Sequence, residues 1–271
     1  MADTPSFESA EDTALSEEFL RQGYVIVPVE DRGTLDEIQG LIADAAAGFI
    51  HEEVPKDTIG FLNSIHSRVT IEKLNDLRLT VIERVRQTPW FRPAYFSLAR
   101  GVLSSLVGNE LAMQRGVGLS VQLPEDDSSL LPVHADVWDG DSSFEVVEWL
   151  PLVDCFDTKS MFILTPDKDR PVQQRLAEFS GKTTEDLYQV IEKDVDFLKV
   201  PYGSVLIFSQ TLMHGNRVNR VPETRWSMNC RFKSALAPYA DKKLGEFFEP
   251  ITLKPVTRMA LSYQLPGGFD E

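Results

Sequence analysis

The chain alternates strictly between polar and apolar side chains over residues 225–232, RWSMNCRF. A period of two predicts a β-strand with one apolar face and one polar face. The polar face carries two arginines, and its members are Arg225, Ser227, Asn229 and Arg231. A barrel or sandwich with an anion-binding interior requires a strand of this kind, although an edge strand with a solvated face gives the same alternation.

A histidine upstream of this strand belongs to a group with the composition of a metal site. His214 lies eleven residues before Arg225, and a single residue separates His134 from Asp136 in the stretch LLPVHADVW. Two imidazoles and one carboxylate are the ligand set of a facial-triad non-haem Fe(II) site. Arg225 and Ser227 are suited to hold the distal carboxylate of a bound diacid through a guanidinium fork and a hydroxyl. We therefore predict a metal centre with an anion clamp beside it.

Composition favours one soluble enzyme domain with a small-molecule substrate. The 271 residues can bury one sizeable core. Lysine and arginine number 27 against 42 acidic residues, and the formal charge of −15 makes nucleic acid and anionic membranes unexpected partners. The chain shows no apolar stretch of membrane length and no secretory signal, so we expect a cytoplasmic location. Cys155 and Cys230 are read as reduced core residues.

The first hundred residues combine several helices with one strand. Residues 24–29 form a β-rich run that we expect at the edge of a sheet. Thr34 and Glu37 have the spacing of a capping box, which predicts that a helix begins there. Helical periodicity also covers residues 71–85 and 93–108. These helices are expected to buttress a sheet.

From about residue 112 the sequence changes to short β-rich runs separated by proline, glycine and aspartate. This texture favours a barrel or sandwich over alternating βαβ units. The predicted strands here cover residues 118–123, 144–152, 161–164, 197–200 and 204–208, before the strand at 225–232. The runs 197–200 and 204–208 flank a turn and are read as a hairpin-like pair.

The order of these motifs resembles a known enzyme superfamily. The two histidines and one aspartate, followed by Arg225-x-Ser227, resemble the Fe(II)/2-oxoglutarate-dependent oxygenases. An arginine eleven residues after the distal histidine is typical of their phytanoyl-CoA dioxygenase-like branch. Residues 19–28 are similar to the N-terminal motif of that branch, and residues 149–154 take the place of its strand after the metal motif. The resemblance spans most of the chain.

A narrower resemblance concerns the sequence around the metal motif. Residues 134–142, 149–155 and 158–161 resemble the StrG-like oxygenases found in carbohydrate and aminoglycoside gene clusters. A pattern common in phytanoyl-CoA dioxygenases is replaced here by Lys159-Ser160 and by residues 165–168, TPDK. This departure argues against a fatty acyl-CoA substrate.

The resemblance implies a fold, a set of cofactors and an activity. The fold would be of the α+β class, one domain over residues 1–271. A helical N-terminal part, 1–110, would buttress a cupin-like double-stranded β-helix (jelly roll) at 111–235, followed by a C-terminal extension, 236–271. Fe(II) would be held by His134, Asp136 and His214, with 2-oxoglutarate and O₂ as co-substrates. The enzyme would oxidise a C–H bond of a small polar, carbohydrate-derived metabolite, releasing succinate and CO₂.

Two further residues are candidates for binding 2-oxoglutarate. Gln122 shares a strand face with Ser120 and could hydrogen-bond the co-substrate, although a strand glutamine is about as often merely solvated or paired. Lys159 could reach 2-oxoglutarate or an anionic substrate, and an ordinary solvated loop lysine is the alternative.

Substrate contacts are expected after the metal motif and on the polar strand. Trp138 is suited to stack on a sugar face and Asp139 to accept hydrogen bonds from hydroxyls, whereas a simple turn is the alternative. Asn229 and Arg231 are the strand candidates. An activated sugar or sugar phosphate would use arginines, of which the sequence offers Arg217, Arg220 and Arg231; a solvated face is the default for the first two.

A second class of function stays open at this point. A cupin-like metal protein without redox chemistry, either a sugar isomerase or a binding protein, would use the same histidines and aspartate. Arg225-x-Ser227 favours the oxygenase, because an isomerase needs no clamp for a diacid.

Overall fold

The computed structural model describes residues 7–266, so the ends of the predicted domain, 1–6 and 267–271, lie outside the described residues. This part of the chain combines helices with antiparallel strands, as the predicted α+β class requires. The helices are α1 (Ala10–Gln22), α2 (Arg32–Phe49), α3 (Thr58–Asn63), α4 (Ile71–Arg86), α5 (Phe91–Ser97), α6 (Arg100–Leu106), α7 (Pro166–Gln173), α8 (Thr184–Ile191) and α9 (Pro255–Ser262). The strands are β1 (Tyr24–Pro28), β2 (Leu111–Gln114), β3 (Gly118–Gln122), β4 (Glu145–Pro151), β5 (Phe162–Ile163), β6 (Ser204–Ser209), β7 (His214–Gly215), β8 (Arg225–Ser234) and β9 (Phe248–Pro250).

The main sheet has seven antiparallel strands in the order β1-β6-β4-β8-β2-β9, with β3 also paired to β8. The long strand β8 organises it. One edge of β8 pairs with β4, and its other edge pairs first with β3 and then with β2, for example Arg225 with Gln122 and Phe232 with Met113. Strand β1 lies at the edge of the sheet, which confirms the prediction for residues 24–29.

A small second sheet faces the main one. Its regular part pairs β5 with β7, and isolated bridges join His134 to His214 and Phe162 to Phe197. The segment 197–200 therefore belongs to this second layer, so the predicted hairpin with residues 204–208 is wrong. Strand β6 has no free edge with which residues 197–200 could pair, since β1 and β4 pair with its two edges.

Helices cover the face of the main sheet that points away from the small sheet. The apolar side chains of β8 are buried on this face, and they are Trp226, Met228, Cys230 and Phe232. The Trp226 indole donates to the Leu62 carbonyl at the end of α3, and the Tyr95 hydroxyl of α5 donates to the Glu148 carbonyl of β4. The apolar residues of β8 therefore face the helices, as the alternation in the sequence predicts. Both cysteines are buried and free, again as predicted.

Two helix predictions differ from the structure in detail. Helix α2 begins at Arg32, because the Asp31 side chain accepts the Thr34 amide and caps the first turn. The capping box at Thr34 and Glu37 is therefore wrong. The periodic run 93–108 forms two short helices, α5 and α6. No described helix is long and apolar enough to cross a membrane.

Candidate functional site

His134 and His214 are direct neighbours across two chain segments of the small sheet. The His134 amide donates to the His214 carbonyl at 3.0 Å, and the His214 amide donates back to the His134 carbonyl at 2.8 Å. Their ring centroids lie 4.2 Å apart. Residues distant in sequence are therefore held side by side by backbone hydrogen bonds, and both imidazoles project in the same direction.

The backbone also fixes the orientation of both imidazoles. The Nδ1 atom of His134 lies 2.8 Å from the Pro132 carbonyl, and the Nδ1 atom of His214 lies 2.9 Å from the Leu212 carbonyl. A carbonyl oxygen can only accept, so each Nδ1 carries a proton and each Nε2 is the atom left to face a metal. Burial lowers the pKa of His214 to about 4, which keeps this ring neutral at physiological pH. An imidazole held in this way can offer its Nε2 lone pair to a metal.

Asp136 completes the group at the start of a short 3-10 turn, Asp136–Asp139. Its Oδ1 lies 3.7 Å from His134 Nε2, and its Oδ2 lies 3.9 Å from His214 Nε2. Potential ligand atoms of all three residues lie within 4.8 Å of one another, and in residues 7–266 this is the one such group. Asp136 Oδ2 is buried without a hydrogen-bond partner. An orphaned carboxylate oxygen close to imidazole nitrogens suits a cation, and the donor set fits Fe(II).

These three residues line a cavity of about 520 Å³ between the two sheets. Its size is that of a small-molecule site. The main sheet contributes apolar walls close to the histidines, from Val147, Trp149 and Phe208. The Phe208 ring lies edge-on to the His214 ring, with 4.9 Å between centroids. Apolar packing around the donor atoms limits access of water to this end of the cavity.

Arg225 lies in the same cavity as a buried cation without a carboxylate partner. Its guanidinium donates to Ser120 Oγ at 2.9 Å and to the Ser160 carbonyl at 3.4 Å, whereas its Nε is buried without a partner. Burial lowers its pKa to about 10, so it stays protonated at neutral pH. The Ser227 hydroxyl is also buried and unpartnered, but Ser227 is not among the residues that line the cavity. Within residues 7–266, Arg225 forms no ion pair. A buried charge of this kind needs an anionic ligand.

The second arginine of the polar strand has a different environment. Arg231 donates to Asp136 Oδ1 at 2.9 Å, and its Nε lies 3.2 Å from Asp141 Oδ1. The ammonium of Lys242 pairs with the other oxygen of Asp141. A continuous chain of ion pairs therefore runs from Asp136 through Arg231 and Asp141 to Lys242. Sequence reasoning missed Lys242, because no motif or spacing connects the residues after β8 with the metal motif.

The two remaining co-substrate candidates lie outside the lining of the cavity. Gln122 is fully buried directly opposite Arg225 on β3; its amide donates to the Arg217 carbonyl and its Oε1 has no partner. The Lys159 side chain is fully buried, and its ammonium donates to Asn63 Oδ1 and Glu223 Oε2. The structure thus ties Lys159 into the protein interior, which differs from both sequence expectations for it.

The substrate candidates divide between the cavity and its surroundings. Asp139 and Asn229 line the cavity, whereas Trp138, which is 38% exposed, is not among the lining residues. Two other arginines considered for phosphate binding are engaged elsewhere, since Arg217 pairs with Glu185 and Arg220 pairs with Glu125. Both pairs lie outside the cavity lining.

Comparisons with known proteins reveal relatives only at the level of three-dimensional structure. No protein-family profile matches this sequence, and no curated protein sequence matches it. EctD from S. alaskensis superimposes with a TM-score of 0.52 at 18% identity, covering 86% of this chain and 79% of that chain. The same protein in complex with 2-oxoglutarate and 5-hydroxyectoine gives a TM-score of 0.50 at 18% identity, covering 86% of this chain and 78% of that chain.

Two further structures superimpose equally well. The non-heme alpha ketoglutarate dependent carbocyclase SnoK from nogalamycin biosynthesis gives a TM-score of 0.51 at 14% identity, covering 92% of this chain and all (100%) of SnoK. AviO1 from Streptomyces viridochromogenes Tue57 also gives 0.51 at 14% identity, covering 88% of this chain and 100% of that chain. The likeness is one of fold. At these identities the residues of the site have to be interpreted from their own geometry.

Proposed function

We propose that this protein is an Fe(II)- and 2-oxoglutarate-dependent oxygenase. His134, Asp136 and His214 would hold the iron, since they offer two imidazole Nε2 atoms and an unpartnered carboxylate oxygen. A facial set of three protein ligands leaves positions open for a chelating keto acid and for O₂. Two proteins that share the fold agree with this chemistry, because SnoK depends on alpha ketoglutarate and EctD is found with 2-oxoglutarate.

The observation that carries the proposal is the unpaired guanidinium of Arg225. A buried arginine costs free energy unless an anion compensates it, and within residues 7–266 it has only neutral partners. It lines the same cavity as the three ligands. The distal carboxylate of 2-oxoglutarate would supply the missing charge, with the Ser227 hydroxyl as a second donor. A metal-dependent isomerase or binding protein gives no reason to keep this cation unpaired.

Each group would then have a defined task. Bound iron would supply the oxidation of 2-oxoglutarate to succinate and CO₂ together with oxidation of a substrate C–H bond. Arg225 and Ser227 would orient the keto acid, and the Nδ1 hydrogen bonds would keep both histidine rings in their ligating orientation. Val147, Trp149 and Phe208 would exclude water.

Finer assignments also belong to this proposal. The cavity lies between two facing sheets, and we assign these sheets to the two layers of a double-stranded β-helix. The Arg225-x-Ser227 motif after His214 supports membership of the phytanoyl-CoA dioxygenase-like branch. Asp139 and Asn229 in the cavity, with Trp138 next to Asp139 in the chain, would suit a small polar, carbohydrate-derived metabolite as substrate. Gln122 would contact 2-oxoglutarate only if its free Oε1 or its amide turned towards Arg225.

An anaerobic titration tests the proposed function. Adding Fe(II) and 2-oxoglutarate to the protein should produce the weak visible charge-transfer band of a chelated keto acid. His134→Ala should lose the band, because one ligand is gone. The matched control is His51→Ala, which removes an exposed histidine at the end of α2 and should keep the band. Absence of the band in well-folded wild-type protein would refute the proposal.

A further inference from the structure

We infer that the primary substrate of this site carries no phosphate or carboxylate group and is an uncharged or cationic small molecule. The inference rests on the proposed function, since it assigns Arg225 to 2-oxoglutarate. It excludes sugar phosphates, nucleotide sugars and acyl-CoA thioesters, all of which a sequence with several arginines near the site could otherwise accommodate.

The first reason is that the remaining cations of the cavity are already paired. The cationic residues in its lining are Arg225, Arg231 and Lys242. Arg231 is shared between Asp136 and Asp141, at 2.9 and 3.2 Å, and Lys242 binds the second oxygen of Asp141. The Asp141 side chain is fully buried between these two cations. An incoming phosphate would have to displace carboxylates that are covalently part of the wall and already desolvated.

The second reason is the balance of charge after loading. The carboxylates of the lining are Asp136, Asp139 and Asp141, which equal the three cations in number. A divalent metal and the dianion 2-oxoglutarate cancel each other, so the loaded cavity stays neutral. An anionic substrate would then bring uncompensated charge into a chain whose formal charge is −15. An uncharged substrate would bring no such charge. A cationic substrate could form an ion pair with Asp139.

The third reason concerns Asp139 and the arginines outside the cavity. Among the described residues, Asp139 is the carboxylate of the lining without an ion-pair partner, and it is exposed. It offers hydrogen-bond acceptors to hydroxyl or ammonium groups and repels anions. Arg217 and Arg220 provide no compensating attraction, because Glu185 and Glu125 neutralise them.

A gain-of-function pair of variants tests the inference with sulfate as probe. Asp141→Asn should free Arg231 and Lys242, so protein loaded with Fe(II) and 2-oxoglutarate should bind sulfate at least about tenfold more tightly than wild type. Asp139→Asn is the matched control, because it removes an equal charge from the same cavity without freeing a cation. Because Asp139 itself repels anions, this variant should gain some sulfate affinity, but clearly less than Asp141→Asn gains. Anaerobic calorimetry measures the sulfate affinity of wild type and of both variants.

The wild-type protein provides a test that needs no variant. Succinate release, corrected for turnover without substrate, is compared for glucose, glucosamine and glucose 6-phosphate, which share one carbon skeleton and differ in charge. The phosphate ester should give no release above background and should bind no more tightly than the other two. Preferred turnover of the phosphate ester, or sulfate binding by wild type as tight as by Asp141→Asn, would overturn the inference.

Failure of the inference and of the proposed function are distinguishable. The charge-transfer band is recorded on the same samples that are titrated with sulfate. Tight sulfate binding with the band present overturns only the assignment of substrate charge. Absence of the band overturns the oxygenase itself, and with it the assignment of Arg225. If Asp141→Asn does not fold, the wild-type sulfate titration decides, with tight binding against the inference and absent binding in its favour.

Discussion

Arg231 holds one oxygen of Asp136 and leaves the other free. Its guanidinium lies 2.9 Å from Asp136 Oδ1, whereas Oδ2 has no hydrogen-bond partner and lies 3.9 Å from His214 Nε2. The carboxylate therefore has one oxygen held by Arg231 and one unpartnered oxygen on the side of His214. Arg231 is in turn held by Asp141. The sequence suggested Arg231 for substrate binding, whereas the structure places it beside Asp136, the carboxylate that we propose as a metal ligand.

This relationship predicts that Arg231→Gln weakens metal binding. Loss of such supporting contacts lowers metal affinity about 10- to 100-fold. Affinity for 2-oxoglutarate at saturating metal should change little, because Arg225 is untouched. Titration with Co(II), followed by its visible absorption, measures the metal affinity. Arg220→Gln, which removes an arginine paired with Glu125 at the surface, is the control. An unchanged Co(II) affinity in Arg231→Gln would contradict the supporting role.

Substitution of Arg225 should lower the affinity for 2-oxoglutarate and leave the affinity for the metal little changed. Arg225→Ala is expected to weaken 2-oxoglutarate binding by about 2–5 kcal/mol, as for truncation of one partner in a buried charge pair. Arg225→Lys should lose less, since it retains the charge but not the planar fork. Calorimetry on the metal-loaded protein gives these affinities, and the Co(II) titration gives that of the metal. Parallel losses of metal and 2-oxoglutarate would show that Arg225 supports the whole site rather than the diacid.

Lys159 and Glu223 should differ in their effect on stability. The Lys159 side chain is fully buried, whereas the Glu223 side chain is 40% exposed. Glu223→Gln leaves a buried ammonium poorly compensated and should lower the free energy of unfolding by about 1–3 kcal/mol. Lys159→Met removes the buried charge together with its need for a partner, so it should cost less. Urea unfolding compares the two variants. A larger loss for Lys159→Met would point to a further role for the ammonium.

Glu145 should make stability depend on pH. Its side chain is buried beside Lys233, and burial raises its pKa from 4.5 to about 7, with nearby Asp141 adding to the shift. Between these values the folded protein retains a proton that the unfolded chain releases. Stability contributed by this group is therefore present below pH 4.5 and is lost as pH rises to about 7.

The variant Glu145→Gln isolates this contribution. It cannot titrate, so the free energy of unfolding of wild type, relative to that of the variant, should fall between pH 4.5 and about 7. The expected change is on the order of 2 kcal/mol. Urea unfolding at several pH values measures it, and the difference cancels the other carboxylates. Parallel pH profiles for the two proteins would show that Glu145 has the same pKa in both states.

Local patterns predicted much of what surrounds the site. The alternation of residues 225–232 identified the buried and cavity-facing sides of β8, because the side-chain period of a strand depends only on the strand itself. The pair His134 and Asp136 is also local, since one intervening residue keeps them close. The expectation that His214 joins them came from residue type and order, and the structure brings the three together.

Predictions were less successful where they depended on which distant residues a strand or a charged side chain pairs with. Residues 197–200 and 204–208 looked like a hairpin, yet they belong to different sheets. Lys159 and Arg231 were both seen as free cations available to a ligand. In the structure, Lys159 donates to Asn63 and Glu223. Arg231 forms ion pairs with Asp136 and Asp141.

The sequence by itself determined the α+β class, the faces of β8 and the residue types of the candidate metal centre. Only the tertiary structure decided which cations are free. Arg225 and Arg231 stand on the same strand face and are equivalent by any local criterion. They differ because Asp136 and Asp141 are brought beside Arg231, while Arg225 meets only serine oxygens. Electrostatic pairing depends on distance in space, and residues far apart in the chain supply the partners.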